Sequence, residues 1–452
     1  MTTDTHTGSA PRFQGSTRRR RAVLGVLVLG GGAGALSAAC AVGESPAPAP
    51  GQRETTLVFD TDWLSGARGD VVDRALRLWS ERYPKIRIDK RDVLTQAGTV
   101  FEKTATLIAS DSLGDVMLWA GYIFAYYAKR GMFVDVGPYL KKYKVSLDDR
   151  YIIPEHIIYE GKTYGFPWQF NAVDYIYNKS LFASHGVKAT DESLTWETLV
   201  EAATHLTNAD NSVFGLAPPG YWRELLWSNG GEERSKDDTK TTLDTPQAIE
   251  AVTYAAELAT RLRIAPTPLQ ASPQQQNLSP QNGNFAVWLG GASRGLDQRI
   301  AGKFEWDLMY APKWAKTGKR FVEQNDQPHV ITGSAKKHDA VEEAALFGAF
   351  MSGEEVQGFV AKYGDTCPVF KKAADSDDFL PASKWNRKVL VDGFAYRRYN
   401  QGIEYWWAWS RVVEAEINKA LNGQASPRDA CMAATRAGDA ALAAKSLQPP
   451  AS

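Results

Sequence analysis

The chain has 452 residues, 44% hydrophobic and 23% charged, which favours two or three globular domains over one. Its 52 Lys plus Arg balance 52 Asp plus Glu, so no net positive charge draws it to nucleic acid. Fourteen Trp and 18 Tyr supply flat apolar walls with polar edges, whether for a core or for a cleft.

The first segment reads as an address. Arg18–Arg21 is basic, Ala22 to Ala39 carries no charge, and Leu36-Ser37-Ala38-Ala39-Cys40 ends it with small residues and a thiol. Basic, apolar and small-residue regions in that order predict an export signal over residues 1–39. Arg20-Arg21 resembles a twin-arginine pattern. The end resembles a bacterial lipoprotein box, with Leu36 four residues before the thiol, which implies lipidation of Cys40 and a hold on the membrane surface. Pro46, Pro48 and Pro50 mark residues 40–54 as a semi-extended tether. Beyond it only Cys367 and Cys431 remain; they can pair or stay as separate buried thiols.

Thr56 to Asp60 (TLVFD) reads as a buried strand. Val71, Val72, Ala75, Leu78 and Trp79 then form the stripe of a helix. An alternating strand starts at Lys85, and Gly114 to Gly121 is a third strand followed by an apolar helix. This alternation predicts an α/β parallel sheet, whose ligands bind beyond the carboxyl ends of its strands. Those ends are Asp60-Thr61-Asp62-Trp63 and Trp119-Ala120-Gly121. Tyr164 to Lys179 alternates Phe166, Trp168 and Phe170 with Pro167, Gln169 and Asn171, so only one of Trp168 and Gln169 should face a cleft. Thr195 caps a helix with Glu197 in its first turn, and Ala265 to Gly283 reads as a surface loop. Asn284 to Gly291 is a strand, Val341 to Phe350 a helix, and the tail from Glu404 is helical with Ser426-Pro427 as cap and first turn.

Five segments in order resemble the family 1 extracellular solute-binding proteins of ABC importers, the maltose-binding-protein type. They are GDVMLWAGYIFAYYAKRGMF, YEGKTYGFPWQFNAVDYIYNKSLF, LTWETLVEAATHLT, the run from Gly333 through AALFGAFMSGEEVQGFVAKYGDTCP, and WWAWSRVVEAEINKALNGQASPRDA. The resemblance implies an α/β, two-lobe periplasmic-binding-protein (type II) fold with hinge strands between the lobes, closing on a ligand. The N-lobe would be 55–168 plus 329–368, the C-lobe 172–326 plus 372–448, with hinges near 169–171, 327–328 and 369–371. A sugar has apolar faces and a hydroxyl rim, which aromatic planes and amide or carboxylate groups satisfy.

On that pattern Trp119 matches a sugar-stacking tryptophan and Trp409 a second one on a C-terminal helix. Asn171 stands where the maltose-binding type has a carboxylate, and Tyr221 falls within one residue of a ligand tyrosine. Asp62, Trp63, Trp168, Trp222 and Arg294 complete the expected ligand contacts. Ala292 stands where the family has a further tryptophan, and Trp288 reads as packing. The resemblance therefore implies a monomer on the outer face of the cell membrane that passes a carbohydrate to ABC permease subunits, with no cofactor and no metal.

Two rival readings have their own residues. Gly291-Ala292-Ser293-Arg294-Gly295 fits G-x-S-x-G, with Asp307, Asp326, His329 and His338 downstream, the chain order of a serine esterase using Ser293. A non-sugar solute is the other: phosphoesters call for several cleft cations, where only Arg68 and Arg294 offer themselves, and polyamines for several carboxylates, leaving a polyol next after sugars.

Overall fold

A computed structural model describes residues 53–92, 104, 106–119, 121–188, 191–290, 294–364, 366–381, 385–399 and 403–445. The export signal, Cys40 and nearly all of the tether lie outside the described residues.

Two sheets organise the chain. In the first, β1 (Thr55–Asp60) pairs in parallel with β2 (Ile86–Arg91) and β3 (Val116–Leu118). The helix Gly66–Arg82 between β1 and β2 buries Val71, Val72, Ala75 and Trp79, the stripe its sequence spacing predicts. A small hairpin, β4 (Ile158–Tyr159) with β5 (Lys162–Thr163), leads into β6 (Gly165–Ala172). The second sheet has the order β10-β7-β9-β8, formed by β7 (Asp174–Asn178), β8 (Phe214–Leu216), β9 (Phe285–Gly290) and β10 (Trp306–Met309).

Two long strands join the sheets. β6 runs on into β7 after one residue, so it carries the chain out of the first sheet and into the second. The ten-residue β11 (Val322–Ile331) brings it back. Its last residues pair antiparallel with β3, its middle with β6, and its first residues in parallel with β12 (Arg397–Arg398). A bulge at Pro328 shifts the register, because proline cannot donate to the ladder. Gln169 bridges Pro368, which puts a third passage of chain beside β6. β11 alternates buried and half-buried positions at first and is continuously buried from Pro328, where both of its faces are covered.

The hydrophobic core is divided accordingly. One cluster surrounds the first sheet, with Phe59, Trp63, Trp79, Trp168 and Phe347. Another fills the space under the helices Pro246–Thr260, Trp406–Leu421 and Pro427–Ala444. Thr195 caps the helix Trp196–His205 through a reciprocal bond with Thr198, and Ser426 caps the last helix. Residues 265–283 are more ordered than a plain loop: Thr267 caps a helical turn Pro268–Ala271, and Pro280–Asn282 forms another turn. Cys367 and Cys431 are both buried free thiols.

Candidate functional site

Beyond the C-terminal end of β3 the chain turns at Gly121 and is pressed against β11. A Cβ on Gly121 would stand 2.8 Å from both Asn325 Oδ1 and the Asp326 carbonyl, so only glycine fits this approach. His156 completes the floor: its Nδ1 lies 2.6 Å from Asp326 Oδ2, and the same carboxylate oxygen accepts from the Ile153 backbone N–H. From the opposite side Tyr399, just past β12, sets its ring edge-on to His156 at 3.6 Å and donates from its hydroxyl to the Gly121 carbonyl at 3.2 Å.

Above this floor lies a cavity of about 540 Å³. Glu155 contributes from the segment ahead of β6. Trp227, Glu232, Glu233, Arg234, Arg398 and Tyr399 contribute from segments after it. Its size is that of a small-molecule site. The charges in its wall are largely spent on one another. Arg398 pairs with Glu232, Arg234 Nε with Asp238 Oδ1 at 2.8 Å, and Arg223 Nε with Glu233 Oε1 at 2.7 Å. Arg398 also covers Trp227, its guanidinium carbon 5.3 Å from the ring centre. Around the floor several polar atoms are buried without a hydrogen-bond partner among the described residues: Asn325 Oδ1, His156 Nε2 and Gln324 Oε1. Each such atom costs roughly 1–3 kcal/mol unless something satisfies it.

None of the described side chains selected from the sequence lines this cavity. Trp63 and Trp168 meet edge to face at 4.8 Å within the first sheet's core, and Trp63 Nε1 donates to Gln169 Oε1 at 2.9 Å. Trp168 and Gln169 are therefore both buried: β6 has cover on each face, and its alternation does not separate core from cleft. Asp60, beside Asp62 in sequence, is held by Arg91 and by the Gly114 N–H, while the Asp62 side chain is half-buried. Trp119 is turned towards Tyr127 and Phe133, with ring centres 5.0 and 4.7 Å away, and its Nε1 has no partner among the described residues. Tyr221 packs on Trp196 at 5.1 Å, and Trp222 lies under Arg223 at 4.4 Å.

Trp409 is fully buried, its Nε1 donating to Thr241 Oγ1 at 2.9 Å. Arg234, in the cavity wall, lies 4.7 Å over the Trp409 ring. Trp119 and Trp409 thus belong to separate clusters, and Trp409 reaches the cavity only through Arg234. Trp288 packs in a third cluster, as its strand position predicts. The side chains of Asn171 and Arg294 lie outside the described residues, as do Gly291, Ala292 and Ser293. Of the downstream residues in the esterase reading, Asp326 is engaged by His156, and His329 is stacked on Trp168 and edge-on to Phe59.

Reasoning from sequence passed over Glu155, His156, Trp227, Arg234, Arg398 and Tyr399. They come from short turns, from the short helix Trp222–Ser228 and from the two-residue β12, where no periodicity marks them. The only local signal was the aromatic and charged density of YWRELLWSNGGEER.

Solved structures share this architecture. An ABC substrate-binding protein from Listeria monocytogenes, in complex with cycloalternan, aligns over 86% of this chain and 99% of its own, with a TM-score of 0.74 at 24% identity. The maltose-bound MalE3 of T. maritima aligns over 84% and 98%, with a TM-score of 0.69 at 17% identity. The UgpB protein of Mycobacterium tuberculosis, in complex with glycerophosphocholine, aligns over 86% and 98%, with a TM-score of 0.71 at 15% identity. These likenesses make the fold a two-lobe periplasmic-binding-protein fold with a mixed α/β interior. Among curated sequences, a putative binding protein of Brucella abortus is 26% identical over 160 residues, which span 34% of this chain and 38% of that relative's length. The family model for bacterial extracellular solute-binding proteins matches residues 61–358, and this chain belongs to that family.

Proposed function

We propose that the protein is the substrate receptor of an ABC importer and that it binds an uncharged carbohydrate in the cavity between its lobes. As a member of a binding-protein family it works by capture and closure, not by catalysis. The observation that carries the choice of ligand is the mutual neutralisation of the cavity wall. Arg398 with Glu232, Arg234 with Asp238 and Arg223 with Glu233 leave a rim of polarised donors and acceptors around Trp227 and Tyr399. That rim suits hydroxyls; Glu155 and Lys236 stand outside these pairs as one acid and one base, so the wall offers no cluster of like charge to an ionic ligand. Structural relatives that carry cycloalternan and maltose support the same reading.

The contacts follow from the wall. Tyr399 and Trp227 provide the apolar faces; Glu155, Arg234 and Arg398 bind the rim. Trp409 and Trp222 act from beneath by seating Arg234 and Arg223. The hinges of this reading fall near 169–171, 327–328 and 369–371, on β6, on the Pro328 bulge and beside the Gln169–Pro368 bridge. Export through the 1–39 signal and lipidation of Cys40 would hold the receptor at the outer face of the cell membrane, where it meets the permease.

A thermal-shift screen of neutral oligosaccharides, glycerophosphocholine and spermidine tests this choice. A ligand at about 100 times its dissociation constant adds roughly 2.7 kcal/mol of stability. A neutral sugar should raise the melting temperature and the two ionic solutes should not. A shift with glycerophosphocholine alone would replace the sugar reading with a phosphodiester one.

A further inference from the structure

A second cavity, of about 840 Å³, shares no lining residue with the one between the lobes. It is built around the β-turn that links Trp314 to Lys319, closed by hydrogen bonds from Trp314 N–H to the Lys319 carbonyl and from Gly318 N–H to the Trp314 carbonyl, each 2.8 Å. The turn places Lys313, Lys319 and Arg320 on the cavity wall, and Lys388 faces them from another segment. Tyr310 and Tyr396 also line the cavity, and the Arg320 guanidinium carbon lies 5.6 and 5.5 Å from their ring centres.

The charges here are predominantly positive, whereas those of the other cavity are mostly paired. Arg320 is only 8% exposed, yet no carboxylate stands at ion-pair distance from it among the described residues; it donates to the Glu192 carbonyl and lies against the Tyr396 hydroxyl. Lys319 has no ion pair among the described residues either, and Lys313 feels Asp191 only at a distance. The wall also holds two acids. Asp392 is taken up by Lys388 and by the Tyr310 hydroxyl at 2.6 Å, while the Glu192 side chain is exposed. A nearly buried guanidinium without a counter-charge is costly, and its planar fork fits the two oxygens of a carboxylate or phosphate. Tyrosine faces beside it fit a ring attached to that group.

We propose that this cavity is a second ligand site, selective for a sugar bearing a carboxylate or phosphate group, with the anion on Arg320 and Lys319 and the ring in the open part of the cavity beside Tyr396. Calorimetric titration of the full chain with glucuronate, glucose 6-phosphate, inorganic phosphate and neutral glucose tests it. At least one of the two acidic sugars should bind at one per chain and more tightly than inorganic phosphate, with glucose showing no binding here. Arg320→Gln should weaken that binding at least tenfold. The surface double variant Lys313→Gln/Lys319→Gln, which removes no buried contact, should weaken it as well and reduce its dependence on salt. Tyr399→Ala, in the other cavity, should leave it unchanged, so this site stands or falls separately from the one between the lobes. The proposal is overturned if neither acidic sugar binds, or if binding survives in both Arg320→Gln and the lysine double variant. Loss of binding in Tyr399→Ala would assign it to the other cavity.

Discussion

His329 is a fully buried imidazole on the strand that returns between the sheets, edge-on to Phe59 at 5.1 Å and stacked on Trp168 at 4.7 Å. Neither ring nitrogen has a partner among the described residues, and burial pushes its pKa from 6.5 down to about 3. Between those values the unfolded chain takes up a proton that the folded chain refuses. Stability therefore falls as pH drops below about 6.5, by at most about 1.4 kcal/mol per unit. His329→Leu should flatten that acid limb in urea titrations between pH 4 and 7; an unchanged slope would show that another group is responsible. Glu224 has the opposite sign. Burial, aided by the nearby Glu323, raises its pKa from 4.5 to about 8, so the folded chain keeps a proton that the unfolded chain releases. Stability gained from this group's neighbourhood is then lost as pH rises from about 4.5 to 8. Glu224→Gln should remove that decline over pH 5 to 8.5, and a variant that declines like the parent would refute the assignment.

At the scale of elements, the helices Trp406–Leu421 and Pro427–Ala444 meet where Gly438 faces Trp409. A Cβ at residue 438 would stand 2.3 Å from Thr241 Oγ1 and 2.8 Å from Trp409 Nε1, two atoms already bonded to each other. Overpacking there costs typically 1–3 kcal/mol and outweighs the gain of about 1 kcal/mol from alanine's helix propensity. Gly438→Ala should therefore lower the urea midpoint; a rise would mean the helices separate without strain. The same packing explains how far the sequence could be read. β1, β3 and β9, the stripe of Gly66–Arg82 and the caps at Thr195 and Ser426 were legible because burial on one side, or a cap, leaves a local pattern. β6 was legible as a strand, but its alternation does not separate a core face from a cleft face, since the strand is covered on both. The tryptophans singled out were the largest side chains, and large side chains are mostly what a core buries. The cavity itself is assembled from residues 155, 227, 234 and 398–399, which are brought together only by the return of β11 and β12.

For the whole molecule, the proposed closure on a ligand would be favoured by contacts that tie residues before β6 to residues after β11. Besides Tyr399 on Gly121, Lys129 Nζ pairs with Glu404 Oε1 at 2.5 Å, and the Tyr159 hydroxyl donates to the same oxygen at 3.2 Å. Such contacts bias the open–closed equilibrium without touching the ligand, and a ligand shifts that equilibrium only by its preference for the closed form. Glu404 is partly shielded but Lys129 is exposed, so solvent screens much of their attraction. Glu404→Gln should thus weaken ligand affinity no more than about fivefold while enlarging the unliganded radius of gyration in small-angle scattering. An unchanged radius would show that this pair does not hold the lobes.

The decisive measurement is calorimetric titration of a neutral oligosaccharide into the parent chain and into Tyr399→Ala side by side. Tyr399 supplies an aromatic face of the cavity and the bond to Gly121, so its loss should remove about 1–3 kcal/mol, or 5- to 150-fold in affinity. One bound sugar per parent chain and that loss in the variant are the expected results. Equal affinity in both chains would place the sugar elsewhere and contradict the site between the lobes.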